Sequence, residues 1–95
     1  MAAYVIAEVD VTDPAGYEEY RRAVPATIEQ YGGRYLVRGG RVEVLEGDWQ
    51  PSRLVILEFE SAERARAWWS SQEYSGPKSI RQRTATSKLI IVEGR

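Results

Sequence analysis

Val5-Ile6-Ala7-Glu8-Val9-Asp10 and Val55-Ile56-Leu57-Glu58-Phe59-Glu60 carry the same hydropathy pattern at an offset of 50 residues. Each segment is rich in β-branched or large apolar side chains, and each is followed by a helix-capping residue and then a helical spacing of apolar positions. A chain of 95 residues that repeats this pattern is one domain made of two halves. Each half reads as strand, helix, strand.

In the first half, Ala3 to Val11 forms the strand, Asp13 caps a helix, and Pro14 occupies its first position. Tyr17, Tyr20, Val24, Ile28 and Tyr31 fall at spacings of 3, 4, 4 and 3, one buried helical face, and Gly32-Gly33 ends the helix. Pro25 interrupts that stripe without breaking its phase, so the spacing predicts one continuous, bent helix that lacks the bond to the Arg21 carbonyl. Arg34 to Arg38 is a short strand. Gly39-Gly40 is a turn, Arg41 to Glu46 is expected to be a second hairpin arm, and Gly47 to Pro51 is a loop carrying Trp49. In the second half the strand runs from Arg53 to Glu60 and Ser61 caps a helix with Ala62, Ala65, Trp68, Trp69 and Gln72 on one side. Gly76-Pro77 is expected to break that helix before a short turn near Ile80, and Lys88 to Glu93 is the last strand.

These elements predict an α+β fold: a ferredoxin-like βαββαβ chain, with a four-stranded antiparallel sheet and two helices on one face. Val5, Ala7, Val9, Val55, Leu57 and Phe59 point to one side of the sheet, and Tyr4, Ile6, Leu54 and Ile56 to the other. Two helices cover only one side. The second apolar face therefore predicts a homodimer through the sheet faces.

Composition narrows the chemistry. There is no Cys and no His, which removes thiol nucleophiles, disulfides, Cys/His zinc sites and imidazole acid–base catalysis. No spaced acidic cluster and no phosphate-cradling glycine loop is present, so neither a metal nor a cofactor is expected. Residues 1–48 hold 5 basic and 9 acidic side chains and residues 49–95 hold 8 and 5. The acid-free stretch with Lys78, Arg81, Arg83 and Lys88 is far short of a phosphate-binding face, so nucleic acid is not an expected partner. No apolar run is long enough for a membrane span and no leader is read at the N-terminus, which makes the cytoplasm the expected compartment.

The residues left for chemistry are Arg, Tyr, Trp and carboxylates. Arg38 and Arg53, at the rims of their strands, are candidates for an anionic subsite; the competing reading of Arg53 is a salt bridge to Glu46 or another acid. Tyr20, Trp68 and Tyr74 are candidate walls of a cleft between sheet and helices, although aromatic residues at helical spacing are more often plain core. Trp49 either lids that cleft or anchors a dimer. Glu8 and Glu58 occupy equivalent places in the two half-repeats, on the sheet face away from the helices. They read as an acid–base pair or, more simply, as interface carboxylates paired with Arg. The function expected from these residues is binding or cofactor-free transformation of a small acidic or aromatic molecule. The alternatives are a sensing module without turnover and a structural dimer.

From Tyr4 to Gly94 the chain resembles the small bacterial proteins grouped as DUF1330. The resemblance rests on Gly32-Gly33-Arg34-Tyr35-Leu36-Val37-Arg38-Gly39-Gly40, Leu45-Glu46-Gly47-Asp48-Trp49, Glu58-Phe59 and Ser71-Gln72-Glu73-Tyr74. It implies a dimeric α+β barrel of uncharacterised function, with a small-molecule cleft between sheet and helices in each subunit. The family's usual Trp-Tyr-Asn-Ser-Pro-Glu-Tyr stands here as Trp68-Trp69-Ser70-Ser71-Gln72-Glu73-Tyr74, so Ser70 replaces a longer amide.

Overall fold

A computed structural model describes all 95 residues, Met1–Arg95. The elements are β1 (Ala3–Val11), α1 (Pro14–Gln30), β2 (Arg34–Arg38), β3 (Leu54–Phe59), α2 (Ala62–Trp69), α3 (Gln72–Thr84) and β4 (Ala85–Glu93). The four strands form one antiparallel sheet in the order β2-β3-β1-β4, so the two repeated segments are its central pair. Val5, Ala7, Val9, Leu57 and Phe59 are buried against the helices. There they meet Tyr17, Tyr20, Val24 and Ile28 of α1, Trp68 of α2 and Tyr74 of α3 in one core. No helix is long and apolar enough to cross a membrane.

α1 begins where the sequence places it, with the Asp13 side chain accepting from the Gly16 N–H at 3.2 Å. It runs unbroken through Pro25. It ends in a Schellman pair: the Gly33 N–H donates to the Ile28 carbonyl at 2.9 Å and the Gly32 N–H to the Glu29 carbonyl at 3.0 Å. Gly32 has the φ of +76° that this ending requires.

Three expectations are corrected. Arg41 to Glu46 is not a strand. β3 is already paired on both edges, by β1 and β2, and the apolar residues of this segment have no sheet face to bury; Leu45 is 91% exposed. Second, there are three helices rather than two, because α3 continues through Gly76-Pro77 and the break falls earlier, at Ser70-Ser71. The Ser71 hydroxyl both donates to the Trp68 carbonyl at 2.7 Å and accepts from the Tyr74 N–H at 3.1 Å, closing α2 and capping α3. Tyr74 and Arg81, seven residues apart and both buried, hold α3 in helical phase across the proline. The break also turns Trp69 outward, 43% exposed, instead of onto the face of Trp68. Third, β4 starts at Ala85, three residues before the expected Lys88, since β1 supplies a backbone partner as far as Val11↔Ala85.

The molecule is only two layers deep, 16 Å in its thinnest direction. On the sheet face without helices, Ile6 and Ile56 lie opposite each other in register, half-buried, and Ile90 and Val92 are 58% and 43% exposed.

Candidate functional site

A narrow cleft opens between the sheet and the helices. The upward-facing side chains of the two central strands form its floor, and Tyr17, Tyr20 and Val24 of α1 overhang it. The centre of a water molecule can occupy about 30 Å³ of it, which is room for a water or two. Four arginines line this cleft, Arg21, Arg38, Arg53 and Arg81, and no acidic residue does. Arg21 is paired with Glu18 at 2.7 Å, and the other ion pair of the molecule is Arg34–Glu58. Arg38, Arg53 and Arg81 have no acidic partner.

Arg38 reaches the cleft through a backbone irregularity. Arg34 lies on the open face of the sheet, bound to Glu58, and strict alternation would send Leu36 and Arg38 to that same face. The register slips between Tyr35↔Leu57 and Val37↔Ile56, leaving Leu36 as the extra residue of a β-bulge, and Arg38 then stands opposite cleft-lining Val55. Its guanidinium stacks on the Tyr35 ring at 4.5 Å and donates to the Arg21 carbonyl at 3.3 Å. That carbonyl is the one Pro25 leaves free, because a proline at position 25 has no N–H to give to residue 21. The proline inside α1 and the arginine at the end of β2 are thus two halves of one contact.

Arg53 sits just before β3, on the parity of Val55 and Leu57 as the sequence implied, with its guanidinium 5.8 Å from the centre of the Tyr17 ring. It makes no salt bridge to Glu46. Its Nε is buried and has no hydrogen-bond partner. Gly39, at φ +72°, leaves the space this side chain fills; a Cβ there would collide with the guanidinium.

Arg81, which the sequence shows only as part of a basic stretch, joins the site in the structure. Its spacing of seven from Tyr74 was the available signal, masked by the assumed break at Gly76-Pro77. Arg81 is 4% exposed and its Nε–H donates to the Tyr74 hydroxyl at 3.2 Å; that hydroxyl lies 2.9 Å from the Tyr20 hydroxyl. Tyr20 and Arg81 line the cleft, while Tyr74 lies behind them. Burial, reinforced by neighbouring Tyr74, pushes the Tyr20 phenol well above its usual pKa, so it stays neutral. Burial also raises Tyr35, with Arg38 opposing. Trp68 is a cleft wall whose polar atom is already spent: its indole N–H donates to Thr27 Oγ1 at 3.0 Å, and that hydroxyl donates to the Val24 carbonyl at 2.8 Å.

The remaining sequence candidates lie on the other side of the sheet. The Trp49 indole N–H donates to Glu8 at 3.3 Å, on the face away from the helices, so Trp49 is no lid of this cleft. Glu8 pairs in register with Leu54 and Glu58 with Tyr4, which separates the two carboxylates by four residues along the strand pair, about 13 Å. They form no acid–base dyad; Glu58 holds Arg34, and Glu8 receives the indole. Ser70, in the place of the family's amide, is exposed and donates to the Arg66 carbonyl at 2.8 Å.

A four-stranded antiparallel sheet with helices on one face is the ferredoxin-like α+β arrangement. The chain belongs to DUF1330, a domain family of unknown function, whose profile matches residues 2–95. No curated protein matches it by sequence. Among solved structures it is similar to a protein of unknown function from Rhodopseudomonas palustris, with a TM-score of 0.78 and 19% identity over 99% of this chain and 82% of that one. It is also similar to SnoaB, a cofactor-independent oxygenase from Streptomyces nogalater (TM-score 0.67, 11% identity, 99% of this chain and 93% of that one). A third is a putative antibiotic biosynthesis monooxygenase from Nitrosomonas europaea (TM-score 0.58, 18% identity, 98% and 89%). At these identities the likeness is one of fold.

Proposed function

We propose that the protein binds a small organic acid in the sheet–helix cleft, with Arg53 and Arg38 taking the acid group and Tyr20 and Trp68 enclosing the apolar part. The observation that carries this reading is the buried, partnerless Nε of Arg53 in a cleft that three unpaired guanidinium groups share with no carboxylate. Leaving a buried donor unmade costs about 1–3 kcal/mol, and an anion entering the cleft removes that cost. As it stands the cleft has room for a water or two, so a short-chain acid enters with a small movement of its side chains and an aromatic ring only with a larger one. The same reading includes a homodimer through the open sheet face, with Trp49 as an anchor at its margin; the exposed Ile90 and Val92 beside Ile6 and Tyr4 support it.

The test is a titration of the protein with propionate, followed by NMR. Arg53→Ala is expected to weaken binding by about 1.5–3 kcal/mol, the range for a charge-assisted hydrogen bond. Unchanged affinity in that variant, or no binding by the wild type, rejects the reading.

A further inference from the structure

The three groups Arg81, Tyr74 and Tyr20 form a line of hydrogen bonds whose direction follows from what each group can donate and accept. A guanidinium only donates, so the Arg81 Nε–H occupies a lone pair of the Tyr74 oxygen. The single proton between Tyr74 and Tyr20 then has two placements. If Tyr20 donates to Tyr74, the Tyr74 proton has no acceptor at a residue that is 0% exposed. If Tyr74 donates to Tyr20, the Tyr74 hydroxyl is satisfied on both counts, and the unplaced proton belongs to Tyr20, which lines the cleft and can give it to whatever enters. The first arrangement strands a donor where nothing can reach it; the second strands it where a ligand or water arrives. The second is favoured, and it makes Tyr20 a neutral donor in a cleft whose charged groups are all cationic.

We propose that the Tyr20 hydroxyl recognises a second, uncharged oxygen of the ligand, and that the cleft selects short-chain oxo acids over plain carboxylic acids. This rests on the reading of the cleft as an acid site. With so little room, the carbon bearing that oxygen stands one or two bonds from the carboxylate carbon, as in a 2-oxo or 3-oxo acid. Arg81 and Tyr74 are positioning residues, since they act only through Tyr20.

Propionate and pyruvate, nearly equal in size and differing in the 2-oxo group, are the probes. Wild-type protein is expected to bind pyruvate roughly threefold to tenfold more tightly than propionate, the worth of one neutral hydrogen bond. Tyr20→Phe, which keeps the ring in the core, removes that preference. If both acids bind, Arg53→Ala weakens both, and Tyr20→Phe leaves the preference as it was, the inference falls and the acid site stands. If neither acid binds, both fall. A ligand-free measurement guards against a variant that does not fold: in the wild type the Tyr74 hydroxyl proton, donated to Tyr20, exchanges slowly with solvent and the Tyr20 hydroxyl proton rapidly. The reverse order of exchange overturns the inference by itself.

Discussion

Arg53 illustrates at the scale of one residue how a binding group and a stability defect can be the same atom. Its backbone is ordinary, with the carbonyl accepting from the Val9 N–H at 2.9 Å, but its buried Nε has no partner. Arg53→Met, which keeps the apolar stem and removes the orphaned donor, is therefore expected to raise the melting temperature while weakening propionate binding; thermal denaturation followed by circular dichroism measures the first effect. The gain has an upper bound of about 1–3 kcal/mol, the cost of the unmade bond. A clear fall in melting temperature would mean that the guanidinium stacking on Tyr17 outweighs the orphaned donor. Glu58 is the contrasting case, since its Arg34 partner, 71% exposed, gives a pair worth at most about 1 kcal/mol.

At the scale of the element, α1 and α3 both keep a proline inside a helix, with different consequences. Pro25 leaves the Arg21 carbonyl to Arg38. Pro25→Ala restores a backbone donor that competes for that carbonyl, so the helix is expected to gain stability while Arg38 loses its anchor. The expected outcome is a higher melting temperature together with severalfold weaker propionate binding. Equal binding in the two proteins would show that the Tyr35 ring alone positions Arg38. In α3, Gly76 has helical φ and open space around it. Gly76→Ala is expected to change stability by less than about 1 kcal/mol in urea denaturation, since the helix preference gained is opposed by crowding between the new Cβ and the Pro77 ring; a gain of the full ~1 kcal/mol would mean that the ring leaves the Cβ free.

The whole molecule has one face of its sheet uncovered, and the dimer proposed to cover it makes a direct prediction. Ile56→Glu places a charge opposite Ile6 at the centre of that face. In a homodimer the carboxylate would be buried without a partner, so the variant is expected to sediment as a 10.8 kDa monomer and to melt well below the wild type. Wild-type protein that is already a folded monomer at micromolar concentration would remove the dimer. The mechanical logic of the fold is that one sheet serves two purposes: its helix side carries the cleft, and its bare side is free for association.

By itself the sequence determined the half-repeat, the α+β class, the apolar faces of both central strands, the caps at Asp13 and Ser61, the continuity of α1 through Pro25 and the placement of Arg53. All of these follow from local chemistry: side-chain alternation, helical spacing and capping need only near neighbours in the chain. Only the tertiary structure decided the rest. Leu36 is the extra residue of a bulge because β2 must pair with β3, and no nearby residue announces it, yet it is what turns Arg38 into the cleft. The helix across Gly76-Pro77 persists because the buried Tyr74 and Arg81 hold it in phase, which local propensity would not have predicted. Arg81 joined the site for the same reason, and Glu8 and Glu58 left it because equivalent places in a repeat are not adjacent places in an antiparallel pair. Pairing register and packing are properties of residues far apart in the chain, and it is these that set which side chains meet.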